Sequence, residues 1–230
     1  MTDTKVPAST RERSERAWMR RALALAERGG GQTAPNPMVG AVVVRDGVVV
    51  GKGFHAKFGE AHAEVAALAD AGDRARDATV FVTLEPCNHQ GKTPSCVDAL
   101  IAAGVSRVVA AARDPGHESG GGGDRLRAAG IEVEFGLEEA AARELNAPFF
   151  FAATGATRPW VTLKLAVSLD GAIAGAPAST DSPRWLTGEA ARKYVHRLRA
   201  QSDAIAVGVG TSAAWRKTEN TARSRRKSIA

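Results

Sequence analysis

The sequence predicts an α/β fold in which helices cover a sheet that contains parallel strands. Short runs of Val, Ile and Ala, typical of buried strands, alternate along the chain with segments of helical period. Val42–Val44 and Val48–Val50 flank Arg45-Asp46-Gly47, which indicates a hairpin. Strands that alternate with helices form parallel pairs, and ligands of such folds bind at the carboxyl ends of the strands.

The N-terminal region predicts a disordered segment followed by an amphipathic helix. Residues 1–13 are polar, charged and without period, so we expect them to be disordered. From Ser14, an expected N-cap, apolar residues recur at helical spacing until Gly29-Gly30-Gly31. Two prolines then hold the backbone extended around Asn36. An asparagine held in this way suits amide contacts with a heterocycle, although Asn-Pro is also a common turn.

The central elements follow in regular order. The second hairpin strand is expected to continue toward His55. The side chain of His55 is expected to face either the candidate site described below or the protein surface. A helix is predicted over 60–71, a buried strand over 79–84, a helix over 94–103 capped by Gly104, and a strand over 107–112. A loop through Gly123 precedes a helix over 124–129, a strand over 131–135 and a helix from 137 to about 151.

The remainder predicts an incomplete second domain. One β-α-β unit is expected, with strands at 160–166 and 204–209 and a helix at 187–199, and the periodicity ends after Thr211. Some 50 residues cannot bury a dinucleotide-binding core alone. We therefore expect four regions, namely a disordered N-terminus (1–13), the first domain (14–153), a truncated second domain (154–211) and a basic disordered tail (212–230).

Composition limits the classes of partner. Hydrophobic residues make up 44% of the chain and charged residues 24%, and no apolar run approaches the roughly 20 residues that span a membrane. The net charge is +6, but residues 212–230 hold six basic residues and one acidic residue, which leaves the rest at +1. We expect a cytoplasmic protein that binds neither nucleic acid nor membrane, and its assembly into a homo-oligomer stays open.

Residue types that bind zinc in proteins lie at the ends of predicted helices and strands. His62 and Glu64 belong to His-Ala-Glu, and Cys87 and Cys96 are the only two cysteines of the chain. One imidazole and two thiolates supply the three ligands of a catalytic zinc ion and leave a fourth position for water. We predict that His62, Cys87 and Cys96 bind zinc, with Cys96 in the first turn of a helix, where a thiolate is favoured.

Two other interpretations of these residues are open. The cysteines would form a disulfide in a secreted protein, but no secretory segment opens the chain. A closed structural zinc site would need a fourth ligand, for which His89 is the nearby candidate.

The spacing matches a known chemical signature with one departure. Zinc-dependent base deaminases carry H-x-E and P-C-x-x-C, with the glutamate as proton shuttle. His62-Ala63-Glu64 and Pro86-Cys87 fit it, but eight residues separate the cysteines here instead of two. This insertion is rich in hydrogen-bond donors, which indicates that it contacts the substrate.

Four motifs together resemble the bifunctional riboflavin-biosynthesis deaminase/reductase family. They are Pro35-Asn-Pro-Met-Val-Gly-Ala-Val-Val-Val44, His62-Ala-Glu-Val65, Thr83-Leu-Glu-Pro-Cys87 and Gly91-Lys-Thr-Pro-Ser-Cys96, and the match continues through Val161-Thr-Leu-Lys-Leu-Ala-Val-Ser-Leu-Asp-Gly171. The resemblance implies a cytidine-deaminase-like three-layer sandwich, followed by an incomplete fragment that resembles dihydrofolate reductase and in the family uses NADPH.

The resemblance also implies a reaction and a set of residues. The substrate is 2,5-diamino-6-ribosylamino-4(3H)-pyrimidinone 5′-phosphate, whose 2-amino group is hydrolysed to give 5-amino-6-(5-phosphoribosylamino)uracil. Glu64 is the implied catalytic proton shuttle. The residues implied to contact the pyrimidine or the ribose phosphate are Asn36, His55, His89, Lys92 and Thr93.

The sequence departs from the family pattern in two places. Gly116 to Gly123 replaces an asparagine-proline and a single glycine loop. In the reductase half, Lys164, Trp185, Arg199 and Thr211 match family substrate or cofactor positions, but Pro183 replaces a serine and the segment expected after Thr211 is absent. We therefore expect no reductase activity, and NADPH as a cofactor only if the fragment were functional.

Two other functions share some of these features. A nucleic-acid base deaminase has the same His-Ala-Glu and Pro-Cys, but carries the short C-x-x-C and needs basic and aromatic surfaces. A non-catalytic, zinc-stabilised remnant is the other alternative, which the intact Glu64 disfavours for the first domain.

Overall fold

The structure is a computed structural model that describes residues 8–89, 95–116, 119–173 and 185–210. The chain divides into two compact units, residues 1–186 and residues 187–230. The strands of the described residues all belong to the first unit. In the described part of the chain, no helix combines the length and the apolar character needed to cross a membrane.

A five-stranded mixed sheet forms the centre of the first unit. The strands are β1 (Gly40–Arg45), β2 (Val48–Phe54), β3 (Thr79–Leu84), β4 (Arg107–Ala112) and β5 (Glu132–Phe135). Their order in the sheet is β2-β1-β3-β4-β5. The β1 strand is antiparallel to both of its neighbours, whereas β3, β4 and β5 run parallel. The predicted hairpin, central strands and parallel pairs are confirmed.

Helices cover both faces of this sheet. The helices of the first unit are α1 (Ala8–Ala26), α2 (Ala63–Ala71), α3 (Cys96–Ala103), α4 (Gly122–Ala128), α5 (Glu139–Leu145) and α6 (Ala147–Ala153). One buried cluster joins the sheet to α2, α3 and α4, and a second joins it to α1, α5 and α6. The predicted three-layer α/β sandwich is confirmed.

The two faces follow from the alternation of apolar side chains along the strands. On β1, Val43 belongs to the cluster under α2 whereas Val42 belongs to the cluster under α1. Gly53 on β2 allows α2 to approach closely, since a Cβ there would lie 2.4 Å from the carbonyl oxygen of Ala63. This contact sets the start of α2, the helix that carries Glu64, against the sheet.

The first helix begins earlier than the sequence predicted. Residues 8–13, which we expected to be disordered, are the start of α1, and Ser14 lies inside that helix rather than at its cap. Two ion pairs at i,i+4 spacing, Arg11–Glu15 and Glu12–Arg16, stabilise this first part. A helix that is polar all round its first turns was not recognised because it has no apolar stripe.

Other element bounds also differ from the expectations. The α2 helix begins at Ala63 rather than at residue 60, and α3 begins at Cys96. The α4 helix includes Gly122 and Gly123, which were expected in a loop, and β5 begins at Glu132.

The helix predicted from 137 to about 151 is two helices that meet at Asn146. The side chain of Asn146 accepts the backbone N–H of Met38 and donates to its carbonyl oxygen, each at 2.8 Å. Pro148 supplies no backbone N–H near the start of α6, which favours a new helix there.

The two strands predicted in the C-terminal part are wrong. Residues 160–166 and 204–208 have no regular structure, although the helix between them forms as α7 (Glu189–Ala200). Alternating apolar residues favour a strand only where another strand offers hydrogen-bond partners. None of the described residues pairs with these segments, and Val161 and Leu163 remain 75% and 79% exposed.

Candidate active site

Three elements bring the predicted metal ligands together. His62 is the N-cap residue of α2, and its carbonyl oxygen accepts the first helical hydrogen bond, from Ala66. Cys87 follows the carboxyl end of β3, and Cys96 is the first residue of α3. The site therefore lies where a central parallel strand ends and two helices begin.

The distances between the ligand atoms fit a zinc ion. His62 Nδ1 lies 3.2 Å from Cys96 Sγ and 3.5 Å from Cys87 Sγ. Zinc bonds of about 2.05 Å to nitrogen and 2.3 Å to sulfur in a tetrahedron place these atoms about 3.6 Å apart. Both cysteines are free thiols, so the disulfide interpretation is wrong.

Three ligands, not four, come together. Among the described residues, the metal-ligand cluster consists of His62, Cys87 and Cys96, with all ligand atoms within 4.8 Å of one another. His89, which a closed structural site would need, is not part of it. A zinc site with three protein ligands keeps one position for water, which is the arrangement of catalytic sites.

Hydrogen bonds among the three ligands stabilise the thiolate form of Cys87. The pKa of Cys87 is lowered to about 4 because its sulfur accepts hydrogen bonds from the Cys96 thiol and from His62. The backbone N–H of Cys96 also donates to Cys87 Sγ at 3.4 Å. The pKa of Cys96 is raised by its role as donor to Cys87. Metal binding then requires the loss of a proton from Cys96.

Glu64 lies beside this cluster in the first turn of α2. Its side chain is 3% exposed, and burial raises its pKa to about 7, with the charge of Cys87 acting in the same direction. A carboxyl group with a pKa near neutrality both accepts and returns a proton. Glu64 is not part of the ligand cluster, and its role as a proton shuttle stays a prediction.

A cavity of about 230 Å³ is lined by Glu64 and by two of the three ligands, His62 and Cys87. This volume leaves room for several water molecules or for a small ligand. The other residues that line it are Asn36, Pro37, Val39, His55, Leu84, Glu85, His89, Asp114, Ser119 and Phe149.

Comparisons with known proteins agree with this geometry. A family model described as "Cytidine and deoxycytidylate deaminase zinc-binding region" matches residues 12–112, which include the three ligands and Glu64, and "RibD C-terminal domain" matches residues 159–228. "Riboflavin biosynthesis protein RibD" of Aquifex aeolicus is 50% identical over 198 residues, which cover 86% of this chain and 54% of that protein. The chain belongs to the RibD family. The RibD protein of Escherichia coli is 50% identical over 196 residues, 84% of this chain and 52% of that protein.

Solved RibD structures have the same fold. Form 2 of Acinetobacter baumannii RibD is 47% identical with a TM-score of 0.73, over 89% of this chain and 56% of that chain. A diaminohydroxyphosphoribosylaminopyrimidine deaminase/5-amino-6-(5-phosphoribosylamino)uracil reductase from Thermotoga maritima is 42% identical with a TM-score of 0.76, over 87% of this chain and 57% of that chain. The chain thus spans about half the length of the RibD proteins it matches, and its cytidine-deaminase-like fold is confirmed.

Three of the five residues predicted to contact substrate line the cavity, namely Asn36, His55 and His89. His55 is 2% exposed, and burial lowers its pKa. His89 is exposed. Lys92 and Thr93 lie outside the described residues.

Three of the four positions matched to the reductase half lie in the described residues. Lys164 is exposed and Trp185 is 66% exposed, both in the first unit, and Arg199 lies in α7 of the second unit. Thr211 lies outside the described residues.

Sequence reasoning missed Glu85. Its side chain is 4% exposed and lines the cavity, and its two carboxylate oxygens accept the backbone N–H groups of Asp114 at 3.1 Å and Gly123 at 2.9 Å. The one signal available in the sequence was an acidic residue directly before Pro86-Cys87. Asp114, Ser119 and Phe149 also line the cavity without having been singled out as site residues.

Proposed function

We propose that the first unit catalyses the hydrolytic deamination of 2,5-diamino-6-ribosylamino-4(3H)-pyrimidinone 5′-phosphate, releasing ammonia and 5-amino-6-(5-phosphoribosylamino)uracil. The observation that carries this proposal is the buried Glu64 carboxyl, which lines one cavity beside the three side chains that could hold a zinc ion. Membership of the RibD family supports the choice of substrate, since the similar protein of Thermotoga maritima is described as a diaminohydroxyphosphoribosylaminopyrimidine deaminase.

Different residues of the chain bind the metal and transfer the proton in this reaction. When bound by His62, Cys87 and Cys96, zinc would act as a Lewis acid that lowers the pKa of a water to about 7. Glu64 accepts a proton from the attacking water and returns it to the amino nitrogen as the carbon–nitrogen bond breaks. Water thus adds oxygen to the ring carbon and ammonia leaves, with Glu64 unchanged at the end. A positioned proton shuttle of this kind increases the rate by a factor of about 10² to 10⁴.

The cavity wall supports recognition of a pyrimidine. Asn36 lies between Pro35 and Pro37, and its amide nitrogen lies 3.3 Å from His55 Nε2, which limits how the amide turns. We assign Asn36 and His55 to the wall that binds the ring. We further propose that His89, Lys92 and Thr93 contact the ribose phosphate, with Lys92 as a point charge on the phosphate.

The same proposal covers the remaining sequence-based expectations. Reduced cysteine ligands favour a cytoplasmic location, where thiols stay reduced. Assembly into a homo-oligomer stays open, and the absence of reductase activity in this chain remains a prediction.

Ammonia release from the purified 230-residue chain tests the proposal. The chain is loaded with one equivalent of zinc and assayed with the diaminopyrimidine nucleotide, and with cytidine and adenosine as controls. We expect turnover of the nucleotide alone. A zinc-loaded chain that releases no ammonia would contradict the proposed activity, and deamination of adenosine would favour a nucleic-acid base deaminase.

A further inference from the structure

Arg125, in α4, reaches a residue next to each of the two cysteine ligands. Its Nη1 atom donates to Asn88 Oδ1 at 3.2 Å and to Ser95 Oγ at 3.4 Å. Asn88 directly follows Cys87, and Ser95 directly precedes Cys96. One guanidinium group therefore bridges the two ends of the segment that separates the ligands.

The same guanidinium also holds the start of α3. Its Nη2 atom forms an ion pair with the carboxylate of Asp98. The Ser95 hydroxyl, which is fully buried, accepts the backbone N–H of Asp98 at 3.1 Å and donates to the Asp98 carboxylate at 2.7 Å. Arg125, Asp98 and Ser95 thus form one network around the N-terminus of the helix whose first residue is Cys96.

The helix that carries Arg125 is itself fixed against the segment of Cys87. Glu85 accepts the backbone N–H of Gly123 at 2.9 Å. A Cβ on Gly122 would lie 1.8 Å from the carbonyl oxygen of Pro86, so the two backbones are in direct contact. The position of Arg125 is therefore set from the Cys87 side, and its guanidinium extends to the Cys96 side.

The link through Arg125 adds to the direct bond from the backbone N–H of Cys96 to Cys87 Sγ, and it matters because the chain between the ligands is long. In a C-x-x-C motif two residues hold the sulfurs at a fixed separation, whereas eight residues intervene here. A longer segment allows more separations, and fixing one of them costs conformational entropy.

We propose that Arg125 is a positioning residue that sets the separation of Cys87 and Cys96 and thereby the affinity for zinc. The inference rests on the zinc site of the proposed function. It assigns to Arg125 no contact with the metal or the substrate. Residues that orient metal ligands in this way change metal affinity about 10- to 100-fold when they are replaced.

Replacement of Arg125 by methionine tests the proposal, and Arg127→Met is the matched control. Both arginines lie in α4 with side chains 43% and 42% exposed, but Arg127 pairs with Asp124 and donates to the carbonyl oxygen of Val133, away from the cysteines. Zinc affinity is measured on the full chain by competition with a chromophoric chelator. The melting temperature of the chelator-treated protein is measured in parallel.

We expect Arg125→Met to weaken zinc binding about 10- to 100-fold, with Arg127→Met equal to the unchanged chain. The melting temperatures of the two chelator-treated variants should agree. Arg125→Lys keeps the charge but not the fork that reaches three acceptors, so it should resemble Arg125→Met. Equal zinc affinity in the two methionine variants, or full recovery by lysine, would overturn the proposal.

A second variant covers the case in which Arg125→Met does not fold. Asn88→Ala removes the acceptor on the Cys87 side and leaves the ion pair with Asp98. We expect weaker zinc binding in the same direction, and unchanged affinity would overturn the proposal. A chain that binds no zinc before any substitution would instead overturn the zinc site itself.

Discussion

Asn36 and His55 share a hydrogen bond that determines which amide atom of Asn36 stays available in the cavity. His55 Nδ1 lies 3.1 Å from the carbonyl oxygen of Ala61, which can only accept, so this nitrogen carries the proton of the neutral ring. His55 Nε2 then accepts from the amide nitrogen of Asn36 at 3.3 Å. Asn36 keeps its carbonyl oxygen as an acceptor for a donor on the proposed pyrimidine substrate, such as an amino group.

This relationship predicts that His55 acts through Asn36. Asparagine in place of His55 can still donate to Ala61 but cannot reach Asn36, so His55→Asn should lower kcat/KM about 5- to 30-fold, the value of one or two hydrogen bonds. In an Asn36→Ala background the same change should cost less than about twofold. The measurement is a double-mutant cycle on ammonia release.

Glutamine offers the control for this cycle. Its amide oxygen lies near the position of Nε2, so His55→Gln should retain more activity than His55→Asn. Independent, additive losses for Asn36 and His55 would mean that the histidine contacts the substrate by itself.

Removal of the two thiols should abolish zinc binding. Cys87 and Cys96 are the only cysteines and supply two of the three ligands, so the chain with both replaced by serine should contain less than about a tenth of an equivalent of zinc. Metal content of the purified variant by mass spectrometry is the measurement. Stoichiometric zinc in that variant would show that the ligands are elsewhere.

Glu64→Gln should separate metal binding from catalysis. Glutamine keeps the shape of the side chain but cannot shuttle a proton, so zinc content should stay at one equivalent while kcat falls at least about a hundredfold. The KM should change little because the substrate contacts are intact. If zinc is lost together with activity, Glu64 is a ligand and the proposed role is wrong.

A buried charge network ties α1 to the sheet and predicts a pH-dependent loss of stability. Arg107 has a side chain 7% exposed and pairs with Glu15 at 2.8 Å and with Glu134 at 2.8 Å. Burial alone would raise the pKa of Glu15, but hydrogen bonds from Arg107 and Arg11 outweigh it and lower the pKa below its ordinary value of 4.5.

Arg107→Met should therefore lower the free energy of unfolding by about 1–3 kcal/mol near pH 7, less than the 3–5 kcal/mol of a fully buried pair because the remaining carboxylates are partly in water. A carboxyl group with a lowered pKa stabilises the fold above its ordinary pKa and loses that contribution as the pH falls through its folded pKa. The difference should thus shrink below about pH 4.5. Arg11→Met, at a 60% exposed side chain, should cost less than about 0.5 kcal/mol in the same denaturant titration.

The sequence predicted the zinc ligands because their chemistry restricts them to few residue types. One histidine and two cysteines with a nearby glutamate, all at the ends of periodic segments, are the side chains that a catalytic zinc ion requires, and the structure brings the three ligands within 4.8 Å. The central strands and parallel pairs were predictable for a similar reason, since runs such as Val42–Val44 suit a buried sheet.

The supporting contacts were not predictable, because they join segments far apart in the chain. Glu85 holds Gly123, 38 positions away, and Asn146 holds Met38, 108 positions away. Neither contact produces a local pattern. The strand predicted at 160–166 was wrong for a related reason. Alternating apolar residues show that a segment is able to form a strand, but they do not show whether another strand is present to pair with it.

The last prediction is that the purified 230-residue chain neither binds nor oxidises NADPH. A nicotinamide site requires a sheet on which to build, and the described residues between 159 and 208 form one α-helix, α7, and no strand. Lys164 is exposed and lies in a stretch without regular structure. Fluorescence titration with NADPH should show no saturable binding up to about millimolar concentration. A dissociation constant above that concentration corresponds to a binding free energy of about −4 kcal/mol or weaker. The deaminase assay run on the same sample shows that the first unit is folded, and saturable NADPH binding by that sample would contradict the prediction.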